Sequence, residues 1–317
     1  MKIKGIINCA VTILMIIAFI MYAGYVVRPL DTDGAVAAIN AFHDVPDNSL
    51  EVIGFGSSHM WRGLDPRVMY DEYGISAYNY GCNWQKVNTT SLFIQDAFQT
   101  QKPKVILIET FYISAILLNE DLNGEIYYTR AIEEFPGKLR FLKQCFGNEW
   151  EKYLSYYVPL CAFHDNWSNI SKESFLFDRR DSKFHETKGF VESEKTESIS
   201  IPDYKKMPQE AFWDPVRREI EYIIQLCKEN NVEIVFYVHP YNGEYNYFDA
   251  MESLASEHGY PFLNLFELCD EVGLNGATDF SDGGHLNTSG SQKVARFLSE
   301  YLKANYDLSD ARITADT

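Results

Sequence analysis

The sequence is short of basic residues and lacks the motifs of nucleotide-binding proteins. It has 28 lysines and arginines against 45 aspartates and glutamates, with a formal net charge of −17. An acidic surface repels phosphate backbones, so no nucleic-acid partner is expected. There is no GxGxxG, no GxxxxGK[ST] and no internal repeat. These absences give no reason to expect a nucleotide cofactor, and no other cofactor is predicted.

Cysteine is also sparse and irregularly placed. The chain has six cysteines with no CxxC pair and no regular spacing. Cys9 lies in an apolar N-terminal segment, so an odd number remains outside it, which argues against a disulfide framework. We expect mostly small buried thiols and leave a single bridge between Cys145 and Cys161 open.

The N-terminal segment is a long apolar run. Residues 5–27 carry no charge, and at about 1.5 Å per helical residue they can cross a hydrocarbon core of about 30 Å. A signal peptide is the alternative, but its apolar region is usually only about 7–15 residues long. We therefore predict a retained, single-pass transmembrane anchor. Lys2 and Lys4 precede it, so the positive-inside rule places the N-terminus in the cytoplasm and the rest of the chain outside.

The remainder of the chain alternates apolar strands with amphipathic helices. Residues 104–110 are apolar on both faces, as expected of a strand covered by helices on two sides, and should lie near the sheet centre. The alternation predicts a three-layer α/β/α sandwich around a five-stranded parallel sheet with right-handed crossovers. Strands are predicted at 51–55, 76–81, 104–110, 232–238 and 261–266, and helices at about 35–42, 84–99, 131–146, 150–157, 215–230, 246–258 and after 288.

These elements suggest a domain organisation. It comprises a cytoplasmic stub and anchor at 1–28, a stalk with a short helix at 29–48, one α/β domain at 49–306 and a frayed tail at 307–317. Residues 114–209 lose the alternation and far exceed the roughly two to six residues that usually join α/β elements, so we interpret them as an insertion. Such an insertion can shape a substrate pocket, although a surface elaboration explains it equally well.

Two separated stretches carry the candidate chemistry. Gly56-Ser57-Ser58 follows the first strand, where small residues leave a hydroxyl uncrowded at the carboxyl end of the sheet. Asp282-Gly283-Gly284-His285 can place a carboxylate against an imidazole across a tight turn. A serine needs a base to become a nucleophile, and the base needs an acid that orients it. We therefore predict Ser58 as nucleophile, His285 as base and Asp282 as the orienting acid.

These stretches resemble blocks of the SGNH/GDSL hydrolase superfamily. Gly56-Ser57-Ser58 corresponds to the first block, and Asp282-Gly283-Gly284-His285, followed by Leu286-Asn287 and Gly290, to the last. The resemblance covers most of residues 50–305 without the insertion, and it implies an SGNH-type, flavodoxin-like sheet. Serine in place of the usual aspartate before the nucleophile, with an N-terminal anchor, is similar to an extracytoplasmic branch of the family. That branch includes the D-alanyl-lipoteichoic acid biosynthesis protein and polysaccharide O-acyltransferases.

The resemblance implies acyl-ester chemistry on O-acetyl or D-alanyl groups of a cell-envelope polysaccharide or teichoic acid. It also implies a multi-spanning membrane acyltransferase as a partner that brings the acyl group to the outer face. The family's oxyanion donors map onto the N–H groups of Ser58 and Gly81. Its third-block asparagine is missing, because the chain reads Glu-Thr-Phe-Tyr at 109–112. The candidate replacements are Asn79, Asn83 and Thr110.

Two further histidines lie near the predicted site. His59 adjoins Ser58 and His239 ends the fourth strand, so either could contact substrate, although a turn or packing role also explains them. A zinc site formed by His59, His239, Asp282 and His285 is a minor alternative, because it would give the Gly-Ser-Ser turn no chemical role. The missing third block also allows a catalytically weak or inactive protein that binds polysaccharide or scaffolds an export complex.

Overall fold

The computed structural model describes residues 2–31, 34–176, 183–243 and 246–314. The predicted stalk, insertion and tail therefore each include positions outside the described residues. The strands are β1 (Val52–Phe55), β2 (Ala77–Asn79), β3 (Val105–Glu109), β4 (Glu233–Val238) and β5 (Phe262–Asn264). The α-helices are α1 (Lys2–Val27), α2 (Ala35–His43), α3 (Ser58–Gly63), α4 (Pro66–Tyr73), α5 (Val87–Thr100), α6 (Gly124–Tyr128), α7 (Phe135–Phe146), α8 (Trp150–Tyr157), α9 (Pro159–Phe163), α10 (Lys183–Glu186), α11 (Asp214–Asn230), α12 (Phe248–His258), α13 (Cys269–Val272), α14 (Thr288–Asn305) and α15 (Ala311–Thr314). Short 3-10 helices lie at Thr129–Ala131, Asn166–Asn169, Lys172–Phe175 and Tyr204–Lys206.

The five strands form one parallel sheet in the order β2-β1-β3-β4-β5. The predicted α/β sandwich and the central position of β3 are confirmed. Ile106 and Ile108 pack into one hydrophobic cluster, and Val105 and Leu107 pack into another on the opposite face. Because helices cover both faces, such a strand carries apolar residues on both of them, which is why β3 was recognisable in the sequence.

The strand register brings the carboxyl ends of three strands to one edge. Phe55 lies opposite Ile108, and Ile108 lies opposite Phe236. The chain therefore leaves the sheet at a similar level after β1, β3 and β4. As a result, the segments that begin at residues 56, 110 and 239 are neighbours, although they are far apart in sequence.

Two helices after β1 were missed by the sequence interpretation. Ser57 caps α3 by accepting a hydrogen bond from the N–H of His59 at 3.3 Å. Asp65 caps α4, which has Pro66 in its first turn. Both helices are short, so neither repeats a 3.6-residue apolar pattern often enough to be recognised. Such short helices are stabilised mainly by tertiary packing, and the local sequence does not show where that packing occurs.

The interval predicted as a stalk contains a helix that packs in the core. Ile39 and Phe42 of α2 are fully buried, and the ring of Phe42 stacks on Tyr80 with centroids 4.0 Å apart. The segment after α14 also returns to the domain, where the hydroxyl of Ser309 donates to a carboxylate oxygen of Glu51 at 2.7 Å. These parts of the predicted stalk and tail therefore pack against the domain.

All six cysteines lie within the described residues and are free thiols. The bridge between Cys145 and Cys161 that the sequence left open is not formed. Cys145 is buried in the core, and burial raises the pKa of its thiol. Cys161 is exposed on α9, so the two side chains occupy different environments.

The helix α1 is apolar and largely exposed. Its segment Ile3–Val27 is long and apolar enough to cross a membrane. Large apolar side chains from Ile3 to Tyr22 are exposed, unlike those of a buried core helix. The last turn differs, because Val26 and Val27 are buried against the domain.

Candidate active site

Ser58 occupies the first position of α3, directly after the turn that ends β1. Gly56 has a φ of 151°, and a Cβ atom there would lie 3.0 Å from both Cβ and the carbonyl oxygen of Glu109. Both the conformation and the close approach therefore favour glycine. Gln85 holds the turn by accepting a hydrogen bond from the Gly56 N–H at 2.7 Å. The N–H of Ser58 begins a helix and so has no acceptor within it.

Ser58, His285 and Asp282 form a continuous hydrogen-bonded row. Nε2 of His285 lies 2.7 Å from Oγ of Ser58, and Nδ1 lies 2.8 Å from Oδ1 of Asp282. The same Oδ1 accepts the backbone N–H groups of Gly284 and His285, each at 2.9 Å. The structure thus brings together three residues from opposite ends of the domain in the order that nucleophilic catalysis requires.

The electrostatics of this row favour a charged Asp282. Burial raises the pKa of Asp282, but the N–H of Gly284 and the charge and hydrogen bonds of His285 outweigh burial and lower it below its ordinary value. A carboxylate at this position favours the His285 tautomer with its proton on Nδ1. Nε2 of His285 is then free to accept a proton from Ser58.

A short antiparallel bridge positions the Asp-His pair. Phe280 pairs with Leu286, and the N–H of Ser281 donates to the carbonyl oxygen of His285 at 2.9 Å. Asn287 then caps α14 with its side chain. The two-glycine turn is therefore held between a bridge and a helix start, which restricts the orientation of the His285 ring.

Asn79 and Gly81 support α3. The N–H of Gly81 donates to Oδ1 of Asn79 at 3.1 Å, and a Cβ at Gly81 would lie 2.8 Å from the backbone nitrogen of Trp61. Nδ2 of Asn79 donates to the carbonyl oxygens of Met60 at 2.7 Å and Leu64 at 2.8 Å. The groups considered as oxyanion donors at these two positions are thus already bonded within the protein.

A cavity of about 1140 Å³ lies beside the loop that follows β2, and the triad residues are not part of its lining. It is bounded by Asn83 and Trp84, by residues 28–31 after α1, and by parts of the insertion. The preceding residue, Cys82, donates its N–H to the carbonyl oxygen of Gly56 at 3.1 Å. The predicted residue Asn83 therefore lines this cavity and directly follows a residue that is hydrogen-bonded to the nucleophile turn.

Thr110, the last candidate replacement for the family's asparagine, lies at the end of β3. It is buried, and its N–H donates to the carbonyl oxygen of Tyr237 at 2.9 Å. This bond continues the pairing of β3 with β4. The backbone N–H of Thr110 is therefore used by the sheet.

His59 is buried next to the triad. It is 1% exposed, and its ring stacks on Phe111 at a centroid distance of 3.6 Å and on His239 at 4.7 Å. Its ring centroid lies 5.2 Å from that of His285. Burial, and then the charges of His239 and His285, lower the pKa of His59 well below its usual value. This environment favours a neutral packing role over substrate contact.

His239 is fully buried between β4 and α3. Its Nε2 lies 3.2 Å from the carbonyl oxygen of His59, and its Nδ1 lies 3.1 Å from that of Pro240. Burial lowers the pKa of His239 to about 4, although the hydrogen bonds to the carbonyl oxygens act in the opposite direction. A side chain with no exposed surface does not reach a substrate, so the structure favours packing here as well.

Glu109 is a buried acid that the sequence interpretation did not single out as a site residue. It ends β3, is 2% exposed and accepts the N–H of Phe111 at 3.2 Å. Burial raises its pKa well above the ordinary value, against the effect of that N–H. One of its oxygens lies within 4.8 Å of ring nitrogens of His59 and His239. The sequence did contain a signal for Glu109, because an acidic residue ends an apolar strand at the same edge of the sheet that carries Ser58.

The geometry does not favour the predicted zinc alternative. Asp282 and His285 bond to each other, and His285 also bonds to Ser58. The rings of His59 and His239 are stacked with an angle of only 8° between their planes. Lone pairs of imidazole nitrogens lie in the ring plane, so stacked parallel rings do not direct them at one ion. Both nitrogens of His239 also face carbonyl oxygens.

No protein-family model and no curated protein matches the chain. Among solved structures, it is similar to a protein from Bacteroides fragilis NCTC 9343 that is provisionally described as an acylhydrolase. The TM-score is 0.39 and the sequence identity 9%, over 84% of this chain and 93% of that chain. Similarity this distant does not identify a shared reaction, so the chemistry has to be inferred from the geometry of the site.

Proposed function

We propose that the protein is a serine esterase or O-acyltransferase in which Ser58 attacks an acyl carbonyl. The observation that carries this proposal is the row from Ser58 through His285 to Asp282, with distances of 2.7 and 2.8 Å. As the bond from Oγ to the carbonyl carbon forms, Nε2 of His285 takes the hydroxyl proton, and Asp282 stabilises the imidazolium. His285 then returns the proton to the departing alkoxide, leaving an ester on Ser58.

The second half of the reaction decides between hydrolysis and transfer. Water releases the acyl group in an esterase, whereas a sugar hydroxyl takes it in a transferase, with His285 again as the base. The N–H of Ser58 would hold the oxyanion, while that of Gly81 is bonded to Asn79. Loss of one oxyanion donor typically costs about 10²–10³-fold in kcat. We therefore expect slow turnover of simple esters unless the natural substrate supplies or recruits another donor.

We also propose that α1 anchors the protein in the cell membrane, with the N-terminus in the cytoplasm and the domain outside. The exposed apolar helix and the two lysines at its start support this orientation. An enzyme placed there would act on O-acetyl or D-alanyl groups of a cell-envelope polysaccharide or teichoic acid. A multi-spanning membrane acyltransferase would supply the acyl group.

Labelling of the full chain with a fluorophosphonate tests the nucleophile. We expect an adduct on Ser58 that is lost in Ser58→Ala and strongly slowed in His285→Ala. Ser57→Ala is the matched control, because Ser57 caps α3 but is not the proposed nucleophile. Folded wild-type protein that forms no adduct would contradict the enzyme proposal and favour the non-catalytic binding or scaffold alternative.

Transfer and hydrolysis are separated by following the acyl group. A transferase should form an ester on a polysaccharide acceptor faster than it releases acetate or D-alanine to water. A hydrolase should release the free acid at a rate that the acceptor does not change. Ser58→Ala should abolish both products, which ties them to the same site.

A further inference from the structure

Six exposed apolar side chains lie on α8 and in the segment after α9, which contacts α1. Trp150, Leu154 and Tyr157 are spaced so that they share one face of α8. The other three belong to the segment after α9. We call the whole set the interfacial patch: Trp150, Leu154, Tyr157, Trp167, Phe175 and Leu176.

The α8 members of the patch are not needed to pack α8 on the domain. Tyr153 and Tyr156 of α8 do this instead, through rings that contact Phe146. Among the described residues after α1, half of the large apolar side chains that are exposed fall within 150–176. Single exposed apolar side chains are normal on a protein surface, whereas a concentration of them usually marks an interaction surface.

Contacts with the last turn of α1 determine where this surface lies. Each of three parts of the insertion contacts α1: α9, the 3-10 helix Asn166–Asn169 and the 3-10 helix Lys172–Phe175. Two of these contacts are hydrogen bonds: Nδ2 of Asn166 donates to the carbonyl oxygen of Val27 at 2.7 Å, and the Tyr25 hydroxyl donates to that of Leu176. In addition, Gly24 packs so closely on α9 that a Cβ atom there would lie 2.8 Å from the backbone nitrogen of Leu160.

The length of α1 places these contacts at one depth. From Ile3 to Tyr22 the helix is mostly exposed, and at about 1.5 Å per residue this part spans about 30 Å, the thickness of a hydrocarbon core. Residues 24–28 then fall at the level of the lipid head groups. Arg28 lies over the ring of Tyr25 at 4.0 Å, and both residue types are common at that level.

We propose that the interfacial patch rests on the lipid surface around the point where α1 leaves the membrane. This inference depends on the proposed anchoring by α1. Tryptophan and tyrosine favour head-group depth because their rings are apolar and their N–H or O–H groups are polar. Residues 149–176 carry four acidic and two basic side chains, so the contact is apolar and does not require anionic lipid.

Quenching of tryptophan fluorescence by brominated lipids tests the proposal. The full chain is reconstituted into vesicles of neutral phosphatidylcholine, with or without bromine on the upper part of the acyl chains. We expect quenching that is mostly removed by the double variant Trp150→Phe and Trp167→Phe. The matched control is Trp213→Phe, which removes a tryptophan that is 61% exposed outside the patch and should leave the quenching unchanged.

A second variant tests insertion without removing a fluorophore. Leu154→Glu replaces an exposed side chain in the middle of the α8 stripe, so the fold should be retained, as circular dichroism would verify. The charge should weaken insertion and reduce the quenching of Trp150. Adding anionic lipid should change little.

The outcomes separate this proposal from the anchoring proposal. If the full chain does not float with the vesicles, the anchor itself fails, and the patch proposal fails with it. If the chain floats but the double variant is quenched as strongly as the wild type, the patch proposal alone is overturned. A floating chain with no quenching at all would also overturn it and would favour a protein partner on this surface.

Discussion

Replacing Asn79 with leucine should destabilise the domain and slow acylation of Ser58. The variant leaves the carbonyl oxygens of Met60 and Leu64 without their donor and the N–H of Gly81 without its acceptor. Asn79 is 1% exposed, so water does not replace these bonds readily. At about 1–3 kcal/mol for each unsatisfied buried group, the loss from the three groups should be about 3–9 kcal/mol. That is a large part of the roughly 5–15 kcal/mol that stabilises a domain.

Asn88→Leu provides a control with a similar defect at another place. Asn88 is also buried and holds the backbone of Leu117 through both ends of its amide. Both variants should lower the urea midpoint, as measured by circular dichroism. Under conditions where both remain folded, only Asn79→Leu should slow fluorophosphonate labelling, because only Asn79 holds the helix that carries Ser58.

Two results would refute this reasoning. A loss below about 1 kcal/mol in Asn79→Leu would mean that its three hydrogen bonds contribute less than buried bonds of this kind usually do. Equal labelling rates in the two folded variants would mean that Asn79 does not position Ser58. Slow labelling without any loss of stability would instead indicate that Asn79 acts directly on the oxyanion.

The remaining predictions concern the triad and its turn. Asp282→Asn should slow labelling by about 10²–10⁴-fold, because the amide keeps an acceptor but loses the charge; an unchanged rate would contradict its role. Gly56→Ala should cost at least about 1–3 kcal/mol in urea unfolding, given its φ of 151°, and a neutral effect would argue against the strained turn. Because the pKa of Asp282 is lowered, the stability that Asp282 contributes should persist above the ordinary aspartate pKa and be lost as pH falls through the lowered value. An Asp282→Asn variant with the same pH dependence of stability would exclude Asp282 as the source.

The sequence was most informative where a feature is local. A strand covered on both faces carries apolar residues on both of them, so the strand within residues 104–110 could be recognised and placed at the sheet centre. The Gly-Ser-Ser turn and the Asp-x-x-His stretch are likewise local, and each suggests a chemical role. The contact between these two stretches, however, is not a local feature. Ser58 and His285 are 227 positions apart, and only the sheet register and the packing of α3 bring their side chains into contact.

By itself, the sequence determined the α/β class, the apolar helix at the N-terminus and the two stretches that hold Ser58 and the Asp-His pair. Only the tertiary structure decided that Asn79 and Gly81 support α3, and that His59 and His239 are buried beside Glu109. The physical reason is that periodicity and turn chemistry depend on neighbours in the chain. Burial and hydrogen-bond partners depend on atoms that distant segments contribute, and no pattern within one segment specifies them.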